Sequence, residues 1–185
     1  IIRRHRDQGC HILGLTATPL DLAGIYEKLV IAGTTSELRK CGALVPAIHY
    51  GPDEPDMTKI GRVDPGDDIS EPKLKKVMMT EGIFGRVYAN YLALNPEGRP
   101  TILFAPGVDE SLYFAEQFHR AKVPAAHIDG DDIWCSGQWV KSSPAARAEL
   151  AEMSRDGRVK VVTNRFVLRE GVNWPWLAHG IFATV

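Results

Sequence analysis

The stretch 101-TILFAPGVDESLYFAEQFHRAKVPAAHI-128 decides the fold of this chain. Its first residues, up to Ala105, are mostly apolar and predict a strand at 101–105. Leu112, Ala115 and Phe118 then recur at helical spacing and predict a helix at about 109–122. A second short apolar run predicts a strand at 125–128. Strand, helix and strand in this order indicate a βαβ unit.

The same alternation continues on both sides of this unit. Downstream, the pattern predicts a helix at 144–156 and strands at 159–163 and 180–185. Between the two units, Ser136-Gly137 lies inside an apolar and aromatic stretch and predicts a small hairpin at 133–140. Upstream, apolar residues at helical spacing predict one long helix from Pro72 to about Asn95. The sequence therefore predicts an α/β fold with a mostly parallel sheet covered by helices on both faces.

The first 72 residues are less regular. An apolar run predicts a buried strand at 10–15, closed by Thr16-Ala-Thr-Pro19. Ser36 and Gly42 predict the two ends of a short helix at 37–41, and a further strand is predicted at 44–50. Residues 51–72 are rich in proline, glycine and aspartate and predict a surface loop or linker.

Composition narrows the class of protein. The 185 residues are 44% hydrophobic with a net charge of −1, which is typical of a globular protein without an overall basic surface. The three cysteines have neither zinc nor disulfide spacing, and we predict no metal site. No apolar run approaches the roughly 20 residues of a membrane span, so a cytoplasmic setting and no membrane partner are predicted. The chain begins without methionine and stops inside an apolar run, so we expect an internal piece of a longer protein.

Three segments carry a resemblance to a known family. Residues 12-ILGLTATP-19 resemble motif III of superfamily 2 helicases, 100-PTILFAPG-107 resembles motif IV, and 161-VVTNRFVLREGVNWP-175 resembles motif V. Each of the first two segments alone is also compatible with an ordinary strand-to-loop junction. Their order favours the DEAD/DEAH-box helicases and translocases of bacterial or phage type.

The resemblance implies a RecA-like fold of the P-loop NTPase type. Residues 1–43 would be the C-terminal end of the first RecA-like domain, and residues 44–185 the second domain, ending before motif VI. Arg147 falls where an arginine of this family heads a helix and helps to order the preceding loop.

Site residues follow from the same resemblance. Thr16 and Thr18 would couple ATP hydrolysis to movement. Glu170, Gly171 and Asn173 would contact ATP, although Asn173 replaces the usual aspartate and lacks its charge. The residues that would contact the nucleic-acid backbone are Ala105, Pro106, Gly107, Thr163, Asn164 and Arg165.

The implied function is part of an ATP-dependent helicase or translocase. The chain has no GxxxxGK[ST] loop and no DEAD or DExH sequence, so we expect it neither to hydrolyse ATP nor to hold ATP and Mg²⁺ by itself. Its expected partners are nucleic acid, DNA more than RNA, and the first RecA-like domain that would bind Mg-ATP. A RecA-like platform without catalysis is the alternative, and an unrelated doubly wound enzyme, such as a nucleotide-sugar transferase, is a further one.

Trp134 and Trp139 lie in the predicted hairpin. These aromatic side chains could stack on nucleic-acid bases, or they could pack on the domain and cover the edge of its sheet.

Overall fold

A computed structural model describes residues 2–16, 20, 22, 24–51, 75, 77–168 and 172–183 of the chain. The chain divides into two compact units, Ile1–Pro52 and Asp53–Val185. The predicted loop or linker at 51–72 lies outside the described residues except for Gly51. No helix among the residues described is both long enough and apolar enough to cross a membrane.

The first unit contains helices α1 (Ile2–Asp7) and α2 (Thr35–Lys40). Helix α2 begins with a reciprocal cap, in which the Thr34 hydroxyl accepts from the Glu37 N–H at 3.3 Å and the Glu37 carboxylate accepts from the Thr34 N–H at 2.8 Å. The predicted cap at Ser36 is therefore wrong by two residues. Gly42 follows the helix with φ +78°, the left-handed backbone that glycine adopts at a helix end.

Two predicted strands of the first unit are wrong. Residues 10–15 and 44–50 form no strand, and Leu13 and Val45 are 87% and 81% exposed. A strand needs a neighbour that accepts and donates its ladder hydrogen bonds. The described part of this unit contains no other strand, so an apolar run alone does not produce one.

The described part of the second unit starts with a helical break that the periodicity did not reveal. Lys75, Val77 and Met78 are helical, the chain bends at Met79 and Thr80, and helix α3 then spans Glu81–Leu94. The Thr80 hydroxyl caps α3 by accepting from the Ile83 N–H at 3.3 Å. The single long helix predicted for residues 72–95 is therefore wrong, because a capping threonine starts a new helix inside the apolar pattern.

The rest of this unit follows the predicted alternation. Strand β1 (Thr101–Phe104) leads to helix α4 (Val108–Arg120), strand β2 (Ala125–Ile128) and a hairpin of β3 (Asp132–Cys135) and β4 (Gln138–Lys141). Helix α5 (Pro144–Arg155), strand β5 (Val161–Asn164) and strand β6 (His179–Phe182) complete the unit. The elements confirm the predicted βαβ order.

One mixed sheet joins all six strands in the order β4-β3-β2-β5-β1-β6. Strands β2, β5, β1 and β6 are parallel to one another, whereas β3 is antiparallel to both β2 and β4. Ser136 and Gly137 have φ values of 51° and 88° and form the tight turn of the predicted hairpin. These observations confirm an α/β fold.

Alternating side chains supply one core on each face of the sheet. On the first face, Leu103 and Val161 pack with Phe114 and Phe118 of α4 and Tyr91 of α3. On the second face, side chains of the strands pack against α5. The buried members of this second core are Ile102, Ala126, Ile128, Ile133, Leu150, Val159, Val162 and Leu168. Helices therefore cover both faces, and the loops at the strand ends remain at the surface.

Candidate functional site

The carboxyl ends of the parallel strands form the candidate site. Strand β5 lies between β2 and β1, with Ile128, Asn164 and Phe104 in register. The Ala105 N–H donates to the Asn164 carbonyl at 2.9 Å, so the loop after β1 continues directly beside the end of β5. The structure thus brings the predicted segments 105–107 and 163–165 together, at the sheet edge where α/β folds bind ligands.

Thr163 belongs to a buried network of polar side chains. Its hydroxyl lies 2.8 Å from the carbonyl oxygen of Ser111 and 3.0 Å from the Ser111 hydroxyl. The Ser111 hydroxyl is in turn 2.7 Å from Nδ1 of His127. All three side chains are fully buried. The Thr163 hydroxyl is therefore engaged inside the fold and does not face solvent.

Asn164 is also fully buried and ties β5 to two neighbouring segments. Its amide nitrogen donates to the Leu103 carbonyl at 3.1 Å, and its amide oxygen accepts from the Leu168 N–H at 3.2 Å. The side chain thereby fixes the turn that follows β5. In that turn Phe166 has φ +60°, an uncommon backbone for an aromatic residue.

Arg165 is the cationic residue at the end of β5. Its side chain is half-buried, and its guanidinium carbon lies 5.7 Å from the ring centroid of Phe166, which is 54% exposed. This geometry is that of a cation–π contact.

His127 connects the buried network to the loop after β2. Its Nε2 lies 3.3 Å from a carboxylate oxygen of Asp129. Burial lowers the pKa of His127, although the hydrogen bond and charge of Asp129 act in the opposite direction. Burial therefore favours the neutral form of the ring. Burial alone would raise the pKa of Asp129, but N–H groups of Asp132 and Asp131 and the His127 ring together lower it.

Arg147 holds the same loop from the other side. Its Nη2 donates to the carbonyls of Asp129 and Gly130 at 3.3 and 3.4 Å, and its Nε donates to the Ser142 hydroxyl at 2.9 Å. The expectation that this arginine orders the loop before its helix is confirmed.

The loop after β1 leads into an acidic helix end. Gly107 is the N-cap of α4 and has no side chain to cap it. Glu110 is buried and folds back so closely that a Cβ on Gly107 would overlap its carboxylate. Asp109 of the same turn pairs with Lys75. Carboxylates stabilise this positive end of the helix dipole, and they would repel a second anion placed beside them.

Of the remaining predicted site residues, the structure describes Thr16 and Asn173. Thr16 is exposed in the first unit, and Asn173 is exposed after the β5 turn. Thr18, Glu170 and Gly171 lie outside the described residues.

Sequence reasoning assigned no functional role to Ser111, His127 or Asp129. The available signal was Asp129-Gly130 directly after a strand. An aspartate there often accepts N–H groups two and three residues onward, as Asp129 does at 2.8 and 2.7 Å from the Asp131 and Asp132 nitrogens.

Acid pH is expected to destabilise the second unit. Burial lowers the pKa of both His127 and His179, so the unfolded chain, with a histidine pKa of about 6.5, takes up protons first. The stability present above about pH 6.5 is therefore lost as the pH falls from that value through the folded pKa values. Urea unfolding between pH 8 and pH 5 measures this loss, and His127→Gln should make it smaller. An unfolding free energy that is constant over this range would contradict the expectation.

Comparison with known proteins gives a narrow result. No protein-family model matches the chain. The chain is 29% identical over 168 residues to a "51.5 kDa protein" of a Lactococcus phage (isolate 7-9). The match covers 88% of this chain and 34% of the phage protein, so the chain spans about a third of the length of the curated relative it matches.

Proposed function

We propose that this chain is the nucleic-acid-contacting part of an ATP-dependent helicase or translocase with RecA-like domains, and that it does not hydrolyse ATP itself. The observation that carries the proposal is the meeting of residues 105–107 and 163–165 at adjacent carboxyl ends of β1 and β5. These are the segments that resemble motifs IV and V. The T-A-T-P sequence earlier in the chain supports the same assignment.

We assign the contact with a nucleic-acid strand to the β5 side of this edge. Thr163 and Asn164 use their side chains inside the fold, and the end of α4 carries carboxylates. Arg165 and the main chain of its turn are therefore the groups that we assign to phosphate. Backbone contacts of this kind hold a strand without reading its sequence.

ATP and Mg²⁺ belong to the longer protein in this proposal. The first RecA-like domain would hold Mg-ATP, and Glu170, Gly171 and Asn173 would approach the nucleotide from this chain. Opening and closing of two domains around ATP would then shift the grip on the strand, through different affinities of the two states for nucleotide.

Arg165→Gln is expected to weaken binding of a fluorescein-labelled oligothymidylate about three- to tenfold. The loss of one phosphate contact should also reduce the slope of log affinity against log salt by about one. Fluorescence anisotropy across a salt series measures both quantities, and an oligouridylate of equal length compares RNA with DNA.

Arg99→Gln is the matched control for this experiment. Arg99 is an exposed arginine just before β1, at the amino edge of the sheet, where it pairs with Glu97 at 2.7 Å. The Arg99→Gln variant removes the same charge as Arg165→Gln, but at the opposite edge of the sheet. Its affinity for the oligonucleotide should be almost unchanged. Equal losses in both variants would mean that the binding is diffuse attraction to positive charge.

Failure of the chain to bind any oligonucleotide would remove the proposal. A longer polypeptide that includes an ATP-binding domain should in addition show ATP hydrolysis that nucleic acid stimulates. Binding without such stimulation would favour a catalytically inactive platform.

A further inference from the structure

The protons of the buried network can be assigned from its chemistry. The Asp129 carboxylate only accepts hydrogen bonds, so the His127 Nε2 that faces it at 3.3 Å carries the proton. In a neutral ring, Nδ1 then accepts the single proton of the Ser111 hydroxyl at 2.7 Å, so the Thr163 hydroxyl 3.0 Å away receives none from Ser111. The Thr163 hydroxyl donates to the Ser111 carbonyl at 2.8 Å. His127 therefore links α4 to Asp129 through both of its ring nitrogens.

Asp129, held by His127, in turn fixes the loop at 129–131 by hydrogen bonds. Its second carboxylate oxygen accepts the N–H groups of Asp131 and Asp132. The three carbonyl groups of the loop are held as well, because Arg147 donates to the first two and the Ser142 N–H donates to that of Asp131 at 2.8 Å. A surface loop with this many internal hydrogen bonds is preorganised.

The position of the loop gives this preorganisation a functional meaning. Ile128, which precedes the loop, is in register with Asn164, which precedes Arg165. The loop therefore lies at the same carboxyl edge as the proposed phosphate contact, on the side of β5 away from β1.

We propose that His127 is a positioning residue, which through Asp129 fixes the 129–131 loop as a further part of the strand-binding edge. The second half of this inference, the role of the loop in binding, rests on the proposed function. Its first half, that His127 fixes the loop, stands on the hydrogen bonds alone.

The test compares two substitutions of the same buried residue. His127→Leu fills a similar volume without polar atoms, whereas His127→Gln retains a donor and an acceptor. In His127→Leu, the amide hydrogens of Asp131 and Asp132 should exchange about tenfold faster, since the Asp129 carboxylate loses a fixing partner. Oligothymidylate affinity should fall several-fold, and His127→Gln should restore part of both losses.

His179→Leu is the matched control. His179 is also a histidine whose pKa is lowered by burial, but it lies at the amino end of β6, where its Nδ1 is 3.3 Å from the Thr101 hydroxyl. This variant should leave both the loop exchange and the oligonucleotide affinity unchanged, apart from any general loss of stability.

The outcomes separate the inference from the function beneath it. Unchanged amide exchange in His127→Leu would overturn the positioning role. Faster amide exchange with unchanged oligothymidylate affinity would overturn the assignment of the loop to the binding edge. Absence of binding in the unsubstituted chain would instead remove the proposed function, and the exchange data would still decide whether His127 positions the loop.

Discussion

Phe118→Ala is expected to lower the free energy of unfolding of the second unit by about 3–5 kcal/mol. Phe118 is fully buried in the core between α4, α3 and the sheet. Its ring makes edge-to-face contacts with Phe84, Tyr88 and Tyr91, at centroid distances of 5.3, 6.0 and 5.3 Å. Truncation removes these contacts and leaves a cavity that three large rings cannot fill without leaving their rotamers.

Tryptophan fluorescence during urea unfolding measures this loss. All four tryptophans lie at positions 134–176, so the signal reports on the second unit. Phe182→Ala is the control, because Phe182 is 73% exposed and should lose less than about 1 kcal/mol. A Phe118→Ala loss no larger than that of the control would show that this aromatic cluster is not a packed core.

The second large effect is expected for Asn164→Asp, which replaces the buried amide NH2 group by a carboxylate oxygen. One carboxylate oxygen could still accept from the Leu168 N–H, but the other would face the Leu103 carbonyl, to which Asn164 now donates. A buried charge and an acceptor facing an acceptor together are expected to cost about 3–5 kcal/mol at pH 7.

The pH dependence of this cost identifies its origin. Burial and the facing carbonyl raise the pKa of the introduced carboxyl in the folded state above its unfolded value of about 3.9. The neutral acid can donate to Leu103 again, so the difference from the unsubstituted chain should shrink as the pH falls below the raised pKa. Asn164→Ala, which has no charge, should show a loss that does not depend on pH. Equal pH profiles for the two variants would contradict the assigned hydrogen bonds.

The second unit was predictable because its signals are local. Each helix and strand from 101 to 164 shows its own periodicity, and parallel strands with helical connections place their carboxyl ends at one edge. That rule was enough to bring 105–107 and 163–165 together. The direction of each side chain was less accessible. In a sheet covered on both faces, the side chains of Thr163 and Asn164 point to opposite faces and both are buried, so neither hydroxyl nor amide reaches solvent.

The first unit was predicted less well because strands depend on partners that are distant in sequence. The apolar runs at 10–15 and 44–50 have the composition of strands, but composition does not supply a neighbouring ladder. Helix α2 depends on local contacts and was found, although the Thr34 and Glu37 pair moved its start. The contacts that join Ser111, His127 and Thr163 connect residues up to 52 positions apart, and no local sequence pattern predicts them.

The strand order also sets when the second unit can fold during its synthesis. Strand β5 pairs with both β1 and β2, and it is made only after the two strands that it separates. A nascent chain that ends before residue 161 therefore has β1 and β2 without their common neighbour. Its unpaired edges and apolar surfaces would be open to chaperones, and β1 and β2 would be joined in one late step when β5 leaves the ribosome, before β6 adds beside β1.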